Sequence, residues 1–95
     1  MLSVQKAEYV GAYKIRLLFN NGKAGTANLE KTIFNDKRAV FLRLKNECEF
    51  KAFKVAHSTV VWSDELDLAP EYLFYLAFME DVEFQEQFRQ WGYIN

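Results

Sequence analysis

One stretch constrains this chain more than any other. In Tyr13-Lys14-Ile15-Arg16-Leu17-Leu18-Phe19, the residues Tyr13, Ile15, Leu17 and Phe19 fall on one side, and Lys14 and Arg16 on the other. Period-two alternation marks a half-buried strand. Asn20-Asn21-Gly22-Lys23 follows, and Asn-Gly suits the positive φ values of a type I′ turn, whose twist matches a hairpin. Lys23 to Leu29 is therefore expected to return as the next strand. Residues 2–9 read as a strand ahead of it, with Leu2, Val4 and Ala7 or Tyr9 inward, and Gly11-Ala12 allows the intervening turn.

A hairpin with one apolar face needs cover, and the rest of the sequence supplies it. Leu29, Ile33 and Phe34 have helical spacing, and Asn35-Asp36 ends that segment. Lys37 to Asn46 places Val40, Phe41 and Leu44 on one face of a short amphipathic helix. Phe50 to Ala56 reads as strand, with Phe53 and Val55 on one side and Lys54 on the other. His57-Ser58 is a tight turn, and Thr59-Val60-Val61-Trp62 the closing strand. Ser63-Asp64-Glu65-Leu66-Asp67 reads as an acidic loop. Asp67 is the natural N-cap of the next helix, which puts Pro70 at N3 of the first turn. Residues 71–79 are apolar nearly all round: Leu73, Leu76 and Ala77 suit the sheet, Tyr72, Tyr75 and Met79 form a second stripe, and Phe74 and Phe78 a third. A last helix carries Phe84, Phe88 and Trp91 at i, i+4 and i+7 after the carboxylates Glu80 and Asp81. Gly92 is placed for a left-handed cap, with Tyr93 against Phe88 and Ile94 packed. The expected fold is α+β: a small, mostly antiparallel sheet of about five strands in two hairpins, two to three short helices, and C-terminal helices capping it. The expected organisation is one domain, residues 1–95, with a core at 2–79 and a helical extension at 80–95.

Size makes the aromatic content informative. With 95 residues, a single domain buries only about two-thirds of its unfolded surface. Nine Phe, five Tyr and two Trp exceed what such a core readily encloses, so some rings are expected to mark a contact surface. Charge is divided: residues 1–55 carry eleven basic and five acidic side chains, and residues 56–95 one basic, Arg89, and eight acidic. Either the halves complement each other on folding, or the basic half meets an anionic partner; the first is the plainer reading. Cys48 is the only cysteine, which excludes an intramolecular disulfide and fits a reducing, cytoplasmic setting. The opening Met-Leu-Ser-Val-Gln-Lys-Ala-Glu has no signal-peptide pattern, and no apolar run approaches the roughly 20 residues of a membrane span.

Candidate chemistry is sparse. Cys48 lies between Glu47 and Glu49, which disfavour a thiolate, so it reads as a small hydrophobe at a helix-to-strand junction. His57 reads as a turn residue. Asp64, Glu65, Asp67 and Glu71 crowd one segment and offer hard oxygen ligands, but the Asp-rich glycine-bearing loop of a calcium site is missing. One Cys and one His cannot supply a zinc site. No phosphate-cradling glycine motif is present. Lys14, Arg16, Lys23, Lys31, Lys37, Arg38, Arg43, Lys45, Lys51 and Lys54 keep a nucleic-acid reading open, through a basic sheet face with exposed rings. The pI of about 5.8 and the missing RNA- and DNA-binding signatures weigh against it.

Two separated segments carry a resemblance. Thr59-Val60-Val61-Trp62 followed by Asp67-Leu68-Ala69-Pro70-Glu71-Tyr72-Leu73 resembles the signature of a small bacterial domain-of-unknown-function family, Thr-Val/Ile-x-Trp-Pro-Asn-Gly-Ala-Asp-Leu-Ala-Pro-Glu-x-Leu. Tyr13 to Phe19 with Asn21-Gly22, and Val40 to Leu44 with Phe50, are similar to its upstream segments. The chain departs from it at Ser63-Asp64-Glu65-Leu66, where the family has Pro-Asn-Gly-Ala. The resemblance implies a compact α+β fold, with Trp62, Asp67, Pro70 and Glu71 as family-motif residues and no established activity, catalytic residue or cofactor. Some such relatives carry a helix-turn-helix domain after this module and others look like one member of a two-gene pair, which implies a regulatory or adaptor role.

The sequence thus points to a non-enzymatic interaction or regulatory module that self-associates, as a homodimer, or binds another small protein, without cofactor, metal or membrane. The aromatic helix supplies the contacts: Tyr72, Tyr75, Phe78 and Met79. The alternatives are a nucleic-acid accessory protein using the basic half, and an enzyme or metal site at the acidic loop 63–71, gathering Asp64, Asp67, Glu71 and His57.

Overall fold

In the computed structural model, which describes residues 1–63 and 65–95, the alternating segment becomes the middle of a three-stranded antiparallel meander. Its strands are β1 (Val4–Gly11), β2 (Lys14–Phe19) and β3 (Ala24–Asn28), in that spatial order. Tyr9 stands opposite Ile15, Ala7 opposite Leu17, and Ile15 opposite Ala27. Ile15, Leu17, Phe19 and Ala27 are fully or almost fully buried, so the side-chain alternation translates directly into an inner and an outer face.

The turns differ from the sequence expectation. Around Asn20-Asn21-Gly22, the Phe19 N–H donates to the Lys23 carbonyl (2.9 Å) and the Gly22 N–H to that of Phe19 (3.0 Å). Only Gly22 has positive φ, +83°. This is a three-residue loop closed by a left-handed glycine, not a two-residue type I′ turn. Positive φ at both central residues occurs instead at Ala12-Tyr13 (52° and 62°) and His57-Ser58 (52° and 68°), with no glycine at either central pair. The uncommon backbone at Tyr13 is anchored by its side chain. The Tyr13 ring packs edge-on against Phe34 and Phe50, and its hydroxyl donates to the Lys45 carbonyl.

The second half holds a second meander: β4 (Lys54–Ala56), β5 (Thr59–Ser63) and β6 (Leu66–Leu68). The count is six strands in two sheets, not about five in two hairpins, because the expected acidic loop contains β6. Leu66 is buried, Leu68 half-buried and Asp67 exposed between them, a short alternation hidden among carboxylates. Asp67 pairs with Val61 and Leu68 with Val60, and the Thr59 hydroxyl donates to the Leu68 carbonyl. Asp67 therefore does not cap the following helix. Ala69 is the N-cap and Pro70 occupies the start of the helix, where its missing N–H leaves no orphan donor. The Val4 N–H donates to the Ser58 carbonyl at 2.9 Å and ties the two sheets together.

Short helices fill the connections: α1 (Glu30–Asn35), α2 (Ala39–Leu42) running into a 3₁₀ turn at Arg43–Lys45, and α3 (Glu47–Phe50). The aromatic helix is α4 (Pro70–Phe78), and a 3₁₀ turn at Val82–Phe84 leads into α5 (Gln85–Trp91). The expected helix over Lys37–Asn46 is thus divided into α2 and a 3₁₀ turn, and α3 is an additional helical turn. Phe50 ends α3 rather than starting a strand, because Asn46 accepts the Cys48 N–H (2.9 Å) and caps a helical turn there. Cys48 is exposed, not a packed junction residue. Val55 lies opposite the buried Val60 but is exposed on an edge strand. At the C-terminus Gly92 has φ +88°, and the Gly92 and Tyr93 N–H groups donate to the Arg89 and Phe88 carbonyls (3.1 and 3.0 Å), as expected of a Schellman end. The Tyr93 ring stacks on Tyr75 at 4.9 Å rather than on Phe88.

α4 crosses the first sheet at β3, and Gly25 sets how closely. A Cβ at Gly25 would come within 2.9 Å of the Phe78 ring and 3.4 Å of the Ala77 methyl. The Phe78 ring has little room to retreat, since Phe19, Phe74 and Phe84 surround it. Gly25→Ala is expected to destabilise the fold by about 1–2 kcal/mol through overpacking, read by denaturant unfolding. Adding Phe78→Leu, which frees that space, should make the Gly25→Ala cost markedly smaller in a double-mutant cycle.

Candidate interaction site between α1 and α4

α1 is aimed by its inner residues. Leu29 and Ile33 are fully buried, and Asn28 accepts the Glu30 N–H at 3.0 Å to start the helix. Lys31, Thr32 and Asn35 are thereby turned toward α4. On α4, Leu73 and Phe74 are buried, which leaves Tyr72, Tyr75 and Leu76, with Met79 at the C-cap, on the flank facing α1. Thr32 and Tyr72 join the helices through their hydroxyls at 2.7 Å.

Between them lies an open groove of about 730 Å³, with Tyr75, Leu76 and Met79 as its apolar part and Lys31, Asp36 and Lys37 along its rim. Asp36 is committed to Arg38: it accepts the Arg38 N–H (2.9 Å) and the guanidinium (2.7–3.2 Å). Those hydrogen bonds hold its carboxyl below the ordinary carboxylate range. Lys31 and Lys37, which pair with no carboxylate among the described residues, then set the sign of the rim. Behind the groove, burial raises the Tyr93 phenol above its ordinary value, with Glu71 and Tyr72 adding to the shift. The Tyr93 ring lies 5.7 Å from that of Tyr72 and stacks on Tyr75 at 4.9 Å.

Three of the four contact residues read from the sequence, Tyr72, Tyr75 and Met79, line this groove. Phe78 does not: it turns toward Gly25 and Phe19. Lys31 and Lys37, read from the sequence only as basic residues open to nucleic acid, and Leu76, read as facing the sheet, meet Thr32 here because only the packing of α1 on α4 brings them together. Of the residues that carry the sequence resemblance, Trp62 is half-buried. Its indole N–H donates to the Phe50 carbonyl at 2.7 Å, and it borders a smaller cavity of about 350 Å³ with Arg43, Leu44 and Leu66. Asp67 lies in β6 and Pro70 and Glu71 in the first turn of α4.

The other sequence candidates are scattered. His57 sits exposed in its turn and Cys48 on α3; Asp64 lies outside the described residues. Among the described residues no three His, Cys, Asp or Glu side chains gather to hold a metal. The outer face of the first sheet carries Lys6, Glu8, Lys14, Arg16 and Thr26 by register, with no aromatic residue at those positions on which a base could stack. Among the described residues only one ion pair, Lys23–Glu83 at 3.8 Å, joins the basic and acidic parts of the sequence; the others, Arg38–Asp36, Arg43–Glu49 and Arg89–Glu86, stay within a part. No described helix is long and apolar enough to cross a membrane.

A fold of two small antiparallel meanders clasped by short helices, with a groove and no gathered catalytic set among the described residues, defines an α+β module. The family model for a protein of unknown function, DUF2442, matches residues 4–78, and the chain belongs to that family. No curated protein matches it, and no solved structure does. The family match ends at Phe78, the last residue of α4, so the groove lies within it except for Met79, and α5 lies beyond it.

Removing the hydroxyl by Tyr72→Phe should cost about 0.5–1.5 kcal/mol, and a cycle with Thr32→Val should show coupling of most of that amount. In an acid titration followed by NMR, the Asp36 carboxyl should titrate below the ordinary carboxylate value. Its pairing with Arg38 contributes above that value and is lost as pH falls through the lowered one; Arg38→Ala should return the midpoint toward normal.

Proposed function

We propose that this chain is a non-enzymatic, regulatory or adaptor module that binds protein through the α1–α4 groove. The observation that carries this reading is the composition of the groove: Tyr75, Leu76 and Met79, the last 45% exposed, beside Lys31 and Lys37 and the paired Thr32 and Tyr72 hydroxyls. Tyrosines and methionine on a shallow, partly wet surface are the residue types that anchor protein interfaces. The openness of the groove and its separation from His57, Cys48 and Glu65 fit binding better than chemistry. The occupant is a second copy or another small protein carrying apolar and acidic side chains. Binding to nucleic acid gains little from the outer sheet face, where Glu8 interrupts the basic residues and no ring offers stacking.

A photo-crosslinking phenylalanine in place of Met79 tests the reading in cells. It should give a light-dependent protein adduct that Tyr75→Glu abolishes, and the same probe at Thr26 on the outer sheet face should give none. No adduct at 79, or equal adducts at 79 and 26, would overturn the groove as the binding site.

A further inference from the structure

The connection after α4 is held more firmly than its length requires. The Asp81 N–H donates to the Phe78 carbonyl (2.9 Å) and the Phe84 N–H to that of Asp81 (3.2 Å). The Asp81 carboxylate accepts the Glu83 N–H (3.0 Å). The Gln85 side-chain amide donates to the Met79 and Asp81 carbonyls (3.1 and 2.8 Å). What this turn displays is Val82, 87% exposed, framed by the exposed carboxylates of Glu80, Asp81 and Glu83. A rigid turn that presents an apolar side chain costs little further conformational entropy on binding.

The groove beside it has the opposite character: an apolar floor with an ammonium rim, Lys31 and Lys37. Met79 belongs to both features, lining the groove and starting the turn. Within one chain the turn leaves Val82 in solvent, so it does not fill its own groove. Between two chains, a two-fold axis passing beside Met79 would seat each turn in the other's groove, an isologous arrangement made of two copies of one contact.

We propose that the α1–α4 groove receives the Glu80–Glu83 turn of a second copy of this chain. Val82 enters against Leu76 and Met79, the Glu80 carboxylate meets Lys31 and Lys37, and Glu83 exchanges its exposed 3.8 Å pair with Lys23 for the same rim. This rests on the groove being the binding site and names its occupant. The complementary patches are small and their charges exposed, so the dimer is weak, concentration-dependent and loosened by salt.

The test is solution mass by light scattering across a dilution series, at low and high salt. The wild-type chain should shift from dimer to monomer on dilution, at higher protein concentration when salt is raised. Lys31→Glu with Lys37→Glu, and separately Glu80→Lys with Glu83→Lys, should each raise the dissociation constant about tenfold or more by opposing like charges. All four positions are exposed, and unchanged thermal unfolding would show that both variants fold. An equimolar mixture of the two variants should recover the dimer, because both contacts then pair opposite charges. A wild-type monomer throughout, a dimer indifferent to both variants, or a mixture that stays monomeric would overturn the proposal. If Met79 crosslinks a different protein while the chain stays monomeric, the occupant is wrong and the groove stands. If nothing crosslinks, the groove fails as well.

Discussion

The fold turns on the ring of Phe74. It is buried at the centre of α4 and meets Phe19 from the first sheet at 5.0 Å, Phe78 at 4.6 Å, Phe84 at 4.9 Å, and Phe88 and Trp91 of α5 at 6.2 and 6.1 Å. Several of these approaches are edge-to-face, the arrangement that places a positive ring edge on a negative face. A 95-residue domain has little volume for aliphatic layers, and large rings bury more apolar surface per ordered residue. Phe74 is thus the point at which sheet, central helix and C-terminal helix become one core.

A second aromatic centre does the same for the other side of the molecule. Phe50 is fully buried and touches Tyr9, Tyr13 and Trp62 at 5.2–5.7 Å. The polar tips of those three rings all find partners: Tyr9 donates to Glu47, Tyr13 to the Lys45 carbonyl and Trp62 to the Phe50 carbonyl. Those bonds fasten the connecting helices across the gap between the two sheets. With both centres occupied inside, the rings left for outside work are few. Tyr72 and Tyr75 are half-buried beside the larger groove, which is why a functional reading converges there.

The sequence was legible wherever a signal was local and repeated. The alternation from Tyr13 to Phe19 gave the inner face of β2, and Phe84, Phe88 and Trp91 gave the packed face of the last helical segment. Gly92 announced a helix end that closes as read. It was less legible where two signals shared the same residues. The Leu66-Asp67-Leu68 alternation was masked by neighbouring carboxylates, so a strand was read as a loop and Asp67 as a cap. Phe50 and Phe53 suited a strand by side chain, while Asn46 capped a helix that claimed Phe50 first. Phe78 shared the apolar helix with the groove residues, and nothing in its spacing said that Gly25 would receive it.

The sequence by itself determined the class of fold, the presence of a hairpin, an apolar central helix and a final amphipathic helix, because these follow from periodicities of two and 3.6 acting over a few residues. Tertiary structure alone decided which rings would be enclosed and which left out. α4 is apolar on three sides, and its own sequence treats them alike; only the docking of β3 on one side, of α5 on the second and of α1 near the third assigns them. The groove exists because α1, a helix of six residues, covers that third side incompletely, and no local pattern in either helix encodes the space between them.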